Sequence, residues 1–448
     1  MEAEYTPPEW LPDGKSFFYS RRRLLPPEAP PTEGYKQTRG FLHRLGTNPD
    51  SDMTVFAMNL WPGVAMTEND FPSIVMPPGS DYVIGKIKHG DANQLTLYAA
   101  PQSAITTSNT PWKRICDVND SVTEFAVHQD QVYLMTSRLA PRFKVVRTAL
   151  SNPDMATAVE VVPAGTVVIE GVTAAKDALY LSTLSAGMNQ VVRVDYETGA
   201  PSRLSLPDGA TTGYVVSASG DVDGVYISTA SWTKRSGTYA YDPKTNTFTD
   251  TGLNPKGTFD DVPGFESVEV QAPSHDGVMV PLSIMYKSGI KLDGSNPTLL
   301  VGYGAYGLNS NVSFDPQRLA WLEKGGIFAV AHVRGGGEYG EEWHLAGQKL
   351  TKPNTWKDFI ACGEYLVQKG YASPARLCGQ GGSAGGILIG RAVTERPDLF
   401  AAALFDVGCL DAIRMETTTN GVPNIPEFGT VTKEDEFHGL LAMSAYSH

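Results

Sequence analysis

The sequence predicts two unlike domains, an all-β propeller domain over residues 1–262 and an α/β domain over residues 263–448. Three observations carry that expectation. A turn-plus-strand unit recurs through the first part, the texture changes after Pro263, and a glycine-rich serine motif sits between a strand and a helix in the second part. At 448 residues, 41% of them hydrophobic, the chain exceeds the roughly 250–300 residues at which one core stops growing. Two cores are therefore expected.

Up to about residue 260 short alternating strands are broken by Gly, Asp, Asn and Pro, with little helical periodicity. Five runs pair a turn signal with a β-rich, tyrosine-bearing stretch. They are Asp13-Gly14-Lys15-Ser16-Phe17-Phe18-Tyr19, Gly79-Ser80-Asp81-Tyr82-Val83-Ile84, Gln129-Asp130-Gln131-Val132-Tyr133-Leu134, Lys176-Asp177-Ala178-Leu179-Tyr180-Leu181 and Asp223-Gly224-Val225-Tyr226-Ile227. Their tyrosines recur at about 45–65 residues, near the period of a four-stranded propeller blade. A second strand-like run follows, as in Gln94-Leu95-Thr96-Leu97-Tyr98 and Val191-Val192-Arg193-Val194-Asp195. A β-sandwich is the alternative, but internal repetition favours about five blades.

After Pro263 a hairpin is expected over 267–286, turning at Ser274-His275-Asp276-Gly277. Strands and helices then alternate: a strand over 297–303, another over 326–333, a helix over 355–369, a strand over 375–379, a helix to about Glu395 and a buried strand over 400–407. Such alternation implies a mostly parallel sheet covered on both faces.

Gly381-Gly382-Ser383-Ala384-Gly385 is a short motif, and a glycine-rich loop is often only a turn. Its setting gives it meaning. Arg376-Leu377-Cys378 reads as a strand end and Ile387-Leu388-Ile389-Gly390-Arg391-Ala392 as a helix, the strand–turn–helix context of the nucleophile elbow in an α/β-hydrolase. Glycines there let strand and helix pass closely while Ser383 is pushed forward. The Ala384 N–H, at the start of the helix, would face the oxyanion formed when a serine attacks a carbonyl. Upstream, Gly302-Tyr303-Gly304-Ala305-Tyr306-Gly307 ends a buried strand, where such a fold places the rest of its oxyanion hole, although both tyrosines also suit simple packing.

That loop, with Val333-Arg334-Gly335-Gly336-Gly337-Glu338-Tyr339-Gly340, Gly381-Gly382-Ser383-Ala384-Gly385-Gly386 and Arg396-Pro397-Asp398-Leu399-Phe400, closely resembles the prolyl oligopeptidase family of serine peptidases. The resemblance is strong over residues 263–448 and looser over the repeats. It implies a propeller of about seven blades capping an α/β-hydrolase and admitting short peptides. Ser383 matches the family's catalytic nucleophile, with Ala384 and Tyr303 completing the oxyanion hole. Tyr306 matches an aromatic of the S1 pocket, which receives the residue before the cleaved bond, and Cys409 and Phe428 fall at positions lining it. Arg334 is expected in a structural ion pair rather than in catalysis.

Acyl transfer at serine also needs a base and an acid to orient it, in the order Ser, Asp, His for this fold. Beyond Ser383 stand only His438 and His448, with Asp398, Asp406, Asp411 and Asp435, none in a convincing position. Each strand-plus-helix step takes roughly 30 residues, so the triad strands are expected beyond His448. The hydrolase domain therefore reads as incomplete at its C-terminus and the propeller as partial. A fragment of a longer product, or a degenerate homologue acting as a pseudoenzyme or scaffold, is expected, and the chain alone is expected to be inactive.

For specificity, the resemblance implies cleavage after proline first. Asn424 stands where the family's prolyl members stack proline on a tryptophan, which loosens that assignment. The second expectation is oligopeptidase B-like cleavage after Arg or Lys, for which Glu427 is the nearby carboxylate.

A formal charge of −13 argues against nucleic acid as a partner. Cys116, Cys362, Cys378 and Cys409 are far apart and form no metal or disulfide pattern. No apolar run suggests a membrane span, and the acidic N-terminus suggests no signal segment, so a cytoplasmic chain is expected, although a missing N-terminus would take any signal peptide with it. No metal or cofactor is implied, the expected partners are short peptide substrates, and the oligomeric state is unreadable.

Overall fold

The computed structural model describes residues 7–448 except 106–108, 186, 208–209, 211 and 261. Its first part is built from five four-stranded antiparallel sheets, each formed by strands consecutive in sequence. The five tyrosine-bearing runs all fall on the second strand of a sheet: Ser16–Arg21, Tyr82–His89, Gln131–Thr136, Ala178–Ser185 and Val225–Ala230. The runs expected to follow them are third strands, Leu95–Pro101 and Met188–Asp195. A propeller fold results.

Strand alternation explains why these runs are apolar on both faces. Along Gln131–Thr136, Val132 and Leu134 pack with Ile84 and Leu97 of the preceding sheet, while Tyr133 and Met135 pack with Ile169 and Leu179 of the next. Leu179 and Leu181 face backward and Ala178 and Tyr180 face forward, onto Val225 and Ile227. A side chain one residue along a strand thus belongs to a different inter-sheet core. Each such aliphatic side chain, once buried, contributes about 1.5–3 kcal/mol.

The last four-stranded sheet ends with Thr247–Asp250, and the next strand, Phe265–Pro273, opens a six-stranded sheet. It pairs with Met279–Lys287 through the expected turn, where the Ser274 N–H donates to Val278 O at 2.8 Å. Met279–Lys287 lies antiparallel to Ile327–Ala331, after which Thr298–Gly302, Leu377–Gly382 and Ala402–Asp406 add in parallel. The helices Pro353–Gln368 and Gly385–Glu395 pack on this sheet around Leu300, Ala329, Phe359, Leu377 and Leu388, all fully buried. The second domain is an α/β-hydrolase fold.

Two details depart from the sequence reading. The strand expected over 375–379 begins later, at Leu377, because Pro374 starts a 3₁₀ turn, and it runs to Gly382 beside the serine. The strand expected to be buried over 400–407 is Ala402–Asp406, at the edge of the sheet, and Leu404, Phe405 and Val407 are exposed there. Apolar composition matched a central parallel strand, whereas burial depends on neighbours that composition does not encode. Among the described residues no helix is long and apolar enough to cross a membrane.

Candidate active site

Ser383 joins the Leu377–Gly382 strand to the Gly385–Glu395 helix with φ at +52°, in the left-handed region. For a residue with a Cβ this conformation costs roughly 1–3 kcal/mol and persists only when surroundings enforce it. They do so here through three backbone hydrogen bonds. The Ser383 N–H donates to Asp406 O, and Ser383 O accepts from the N–H groups of Cys409 and Gly386, each at 2.9 Å. The turn is tight: a Cβ on Gly381 would lie 2.2 Å from Gly385 O, and one on Gly386 would lie 2.5 Å from Gly408 Cα.

Ala384, 2% exposed, caps the Gly385–Glu395 helix at its N-terminus, where the helix dipole is positive. Facing it, Tyr303 follows the parallel strand Thr298–Gly302, and its phenol lies near enough to the Ser383 side chain to interact with it. Burial pushes the Tyr303 phenol up and outweighs the downward pull of Ser383, with weaker upward contributions from Cys409, Glu427 and Asp91. The phenol keeps its proton at neutral pH. It is a hydrogen-bond donor beside the serine oxygen.

Behind this pair lies an aromatic wall. The Tyr306 ring meets Phe428 edge-on at 5.5 Å between centroids and lies 6.4 Å from the Tyr303 ring, and Cys409, half-buried, joins the same core. Tyr306 has φ at +60°. Its conformation is held by its N–H, which donates to Glu427 Oε1 at 2.9 Å, and by its hydroxyl, which donates to Asn424 Oδ1. From the propeller, Asn93 Nδ2 donates to Tyr306 O at 3.0 Å.

Under the wall is a buried charge cluster that the sequence reading did not anticipate. Glu427 Oε2 is 2.8 Å from His344 Nε2, and Glu427 Oε1 is 3.6 Å from Lys352 Nζ. Lys352, fully buried, donates to Gly304 O at 2.6 Å and lies over the Phe428 ring. Burial alone would raise the Glu427 carboxyl, but His344 and Lys352 outweigh it and hold it below the usual range. For His344 burial works against charge, yet Glu341 and Glu427 carry its pKa up to about 9. Burial draws Lys352 down to about 8. Nothing in Leu350-Thr351-Lys352-Pro353 or around His344 marks these side chains as partners of a residue some eighty positions away; only the fold brings them together.

Arg334 is in the ion pair expected for it. Its Nε and Nη2 donate to Asp358 at 2.9 and 2.6 Å, and Nη1 donates to Asp276 at 2.6 Å. Those bonds tie the loop after Ile327–Ala331 to the Pro353–Gln368 helix and to the hairpin turn. Among the described residues no histidine hydrogen-bonds with Ser383; His448 Nε2 instead lies 3.2 Å from Leu441 O.

Residues 2–250 match the family model for the N-terminal β-propeller domain of prolyl oligopeptidase, and residues 312–448 match that of the prolyl oligopeptidase family. The chain belongs to the prolyl oligopeptidase family. Among its relatives, a prolyl endopeptidase of Elizabethkingia meningoseptica is 29% identical over 446 residues, 98% of this chain and 60% of that protein. A prolyl endopeptidase of Elizabethkingia miricola is 33% identical over 318 residues, 70% of this chain and 44% of that protein. A solved prolyl endopeptidase superposes with a TM-score of 0.89 at 30% identity, over 100% of this chain and 64% of that one. Oligopeptidase B from Leishmania major shares the fold, with a TM-score of 0.83 at 20% identity over 98% of this chain and 61% of that one. The chain thus spans about 60% of the length of the first of these relatives.

In this prolyl oligopeptidase family member a cavity of about 560 Å³ lies between the propeller and the hydrolase domain. Tyr306, His344 and Glu341 line its hydrolase side, and Glu124, Glu170 and Asn93 its propeller side. Burial lifts the carboxyls of Glu124 and Glu170 to about 7.

Proposed function

We propose that this chain carries the nucleophile and oxyanion half of a serine oligopeptidase site, acting on short peptides on the carboxyl side of proline. The observation that carries the reading is the pairing of a strained, forward-pushed Ser383 with the protonated Tyr303 phenol, at the positive end of a helix. Ser383 Oγ attacks the peptide carbonyl, the carbonyl π electrons move onto oxygen, and the Tyr303 O–H and Ala384 N–H stabilise that oxyanion. The serine proton passes to a base and then to the leaving amine. The acyl-enzyme is hydrolysed by water through the same oxyanion site. The described contacts of Ser383 include no base, so the isolated polypeptide is expected to turn over substrate very slowly.

Tyr306, backed by the buried Phe428 and by Cys409, is the wall we assign to the residue before the cleaved bond, and its aromatic, uncharged character suits a proline ring. Asn424, its Oδ1 engaged by the Tyr306 hydroxyl, holds that wall in place. Cleavage after Arg or Lys is the second reading, and Glu427 is the carboxylate that would support it. That carboxylate is already matched by His344, Lys352 and the Tyr306 N–H. A guanidinium would have to displace buried partners, which favours proline.

Peptidyl boronates test the reading, because boron adds to the serine oxygen as a tetrahedral mimic. A proline boronate is expected to bind more tightly than an arginine boronate, with the adduct lost in Ser383→Ala. Undiminished binding to the Ser383→Ala protein would sink the proposal, and preference for arginine would turn it to the second reading.

A further inference from the structure

A separate cavity of about 220 Å³ lies where the first two propeller sheets meet the 420–423 segment of the hydrolase domain. Its floor follows from strand register. In the antiparallel pair Asp70–Val75 and Tyr82–His89, Ser73 stands opposite Lys86 and Phe71 opposite Lys88, two residues along and so on the same face. Arg22 and Tyr35 enter from the segment between Ser16–Arg21 and Arg39–Arg44 of the first sheet, and Pro423 closes the hydrolase side, where Asp91 N–H donates to Pro423 O at 2.9 Å.

Two polar side chains of this cavity, Ser73 and Lys86, lack a close partner among the described residues. Ser73 is 8% exposed, and its hydroxyl has no hydrogen-bond partner among the described residues. A buried hydroxyl is seldom left so. Lys86 is half-buried, and among the described residues no carboxylate lies within ion-pair distance of it; Glu9 acts on it from farther away. Lys88, exposed at the rim, reaches Asp91 only at 3.9 Å. The remaining walls, Phe71, Pro72, Tyr35 and Pro423, are largely apolar. A volume of roughly 150 Å³ already admits a benzene ring.

We propose that this cavity is a binding site for the carboxylate of an apolar residue, as at the C-terminus of a peptide. The carboxylate accepts from Lys86 Nζ and Ser73 Oγ, and the side chain packs on Phe71, Pro72 and Pro423. A monoanion matches the Lys86 ammonium, whereas a dianionic phosphate would be desolvated against apolar walls. Burial lowers the pKa of the Lys86 ammonium, and a bound carboxylate would raise it again. The site differs from the Ser383 pocket, because its cations and unmatched hydroxyl come from the propeller.

Titration calorimetry on the whole chain tests this with four probes: N-acetyl-L-phenylalanine, its amide, 3-phenylpropanoate and inorganic phosphate. The acid is expected to bind at least about tenfold more tightly than the amide, as a charge-assisted hydrogen bond requires. The same loss is expected in Lys86→Gln, and a smaller one in Ser73→Ala. Binding by phenylpropanoate as strong as by the acetylated acid assigns recognition to carboxylate and ring, weaker binding assigns it to a peptide terminus, and either supports the proposal. An amide that binds as well as the acid overturns it, as does phosphate binding more tightly, or acid binding unchanged in a folded Lys86→Gln protein. The acid–amide comparison uses the unaltered chain and stands even if a variant misfolds.

Discussion

A phenol stabilises an oxyanion only while it holds its proton, and the burial of Tyr303 guarantees that over the whole range in which peptides are handled. Removing the hydroxyl leaves the ring in place. Tyr303→Phe should therefore weaken the boronate adduct about 10²-fold or more while the melting temperature stays unchanged; a fall in melting temperature with intact adduct affinity would recast Tyr303 as packing. Beneath it, His344 makes a pH-dependent contribution. Its folded pKa, about 9, is raised above the usual 6.5. The stability it supplies is complete below about pH 6.5 and disappears as pH rises through 9. Lys352 runs the other way: with its folded pKa lowered to about 8, its cost is relieved as pH climbs from there toward 10.5. Urea unfolding should show stability falling between pH 6.5 and 9, and the fall should be absent in His344→Gln. Glu427→Gln leaves the buried Lys352 without its counter-ion and His344 with Glu341 alone, and should cost about 3–5 kcal/mol, measured in the same titration.

The elbow is an element whose geometry depends on missing side chains. Gly386→Ala puts a methyl 2.5 Å from Gly408 Cα, so the helix and the Gly408 segment must separate. A loss of about 1–3 kcal/mol is expected from such overpacking, with the boronate adduct lost as well; a variant that binds normally would show that the close approach is dispensable. Elements of this kind were legible in the sequence because their signals are local. Gly381 to Gly386, the five tyrosine runs and the hairpin turn at Ser274 each declare themselves within a few residues. The helices Pro316–Glu323 and Glu434–Met443 declared themselves poorly, since few of their side chains face the core. The Glu427 cluster and the exposure of Ala402–Asp406 were illegible for a different reason. Both depend on which distant segments arrive beside them, and a single sequence carries no record of that.

Over the whole molecule, the two domains meet across buried carboxylates. Glu170 accepts from Asn309 of the hydrolase domain and Asn189 of the propeller, and burial still raises its pKa to about 7. A carboxyl whose folded pKa is raised supplies stability that is complete below about 4.5 and lost as pH rises through 7. Glu170→Gln should accordingly gain on the unaltered chain above pH 7 and lose that advantage near pH 5, as followed by thermal melts. The same molecule also carries an open border. Among the described residues Ala402–Asp406 is the edge strand of its sheet, next to exposed Leu404, Phe405 and Val407. Such an edge is a template on which like strands can stack. Colloidal behaviour should follow from it: light scattering from the pure chain should grow with concentration, and Leu404→Lys should suppress that growth without altering the melting temperature. The strand that clamps Ser383 through Asp406 O thus also offers the chain a border for clumping with its own copies.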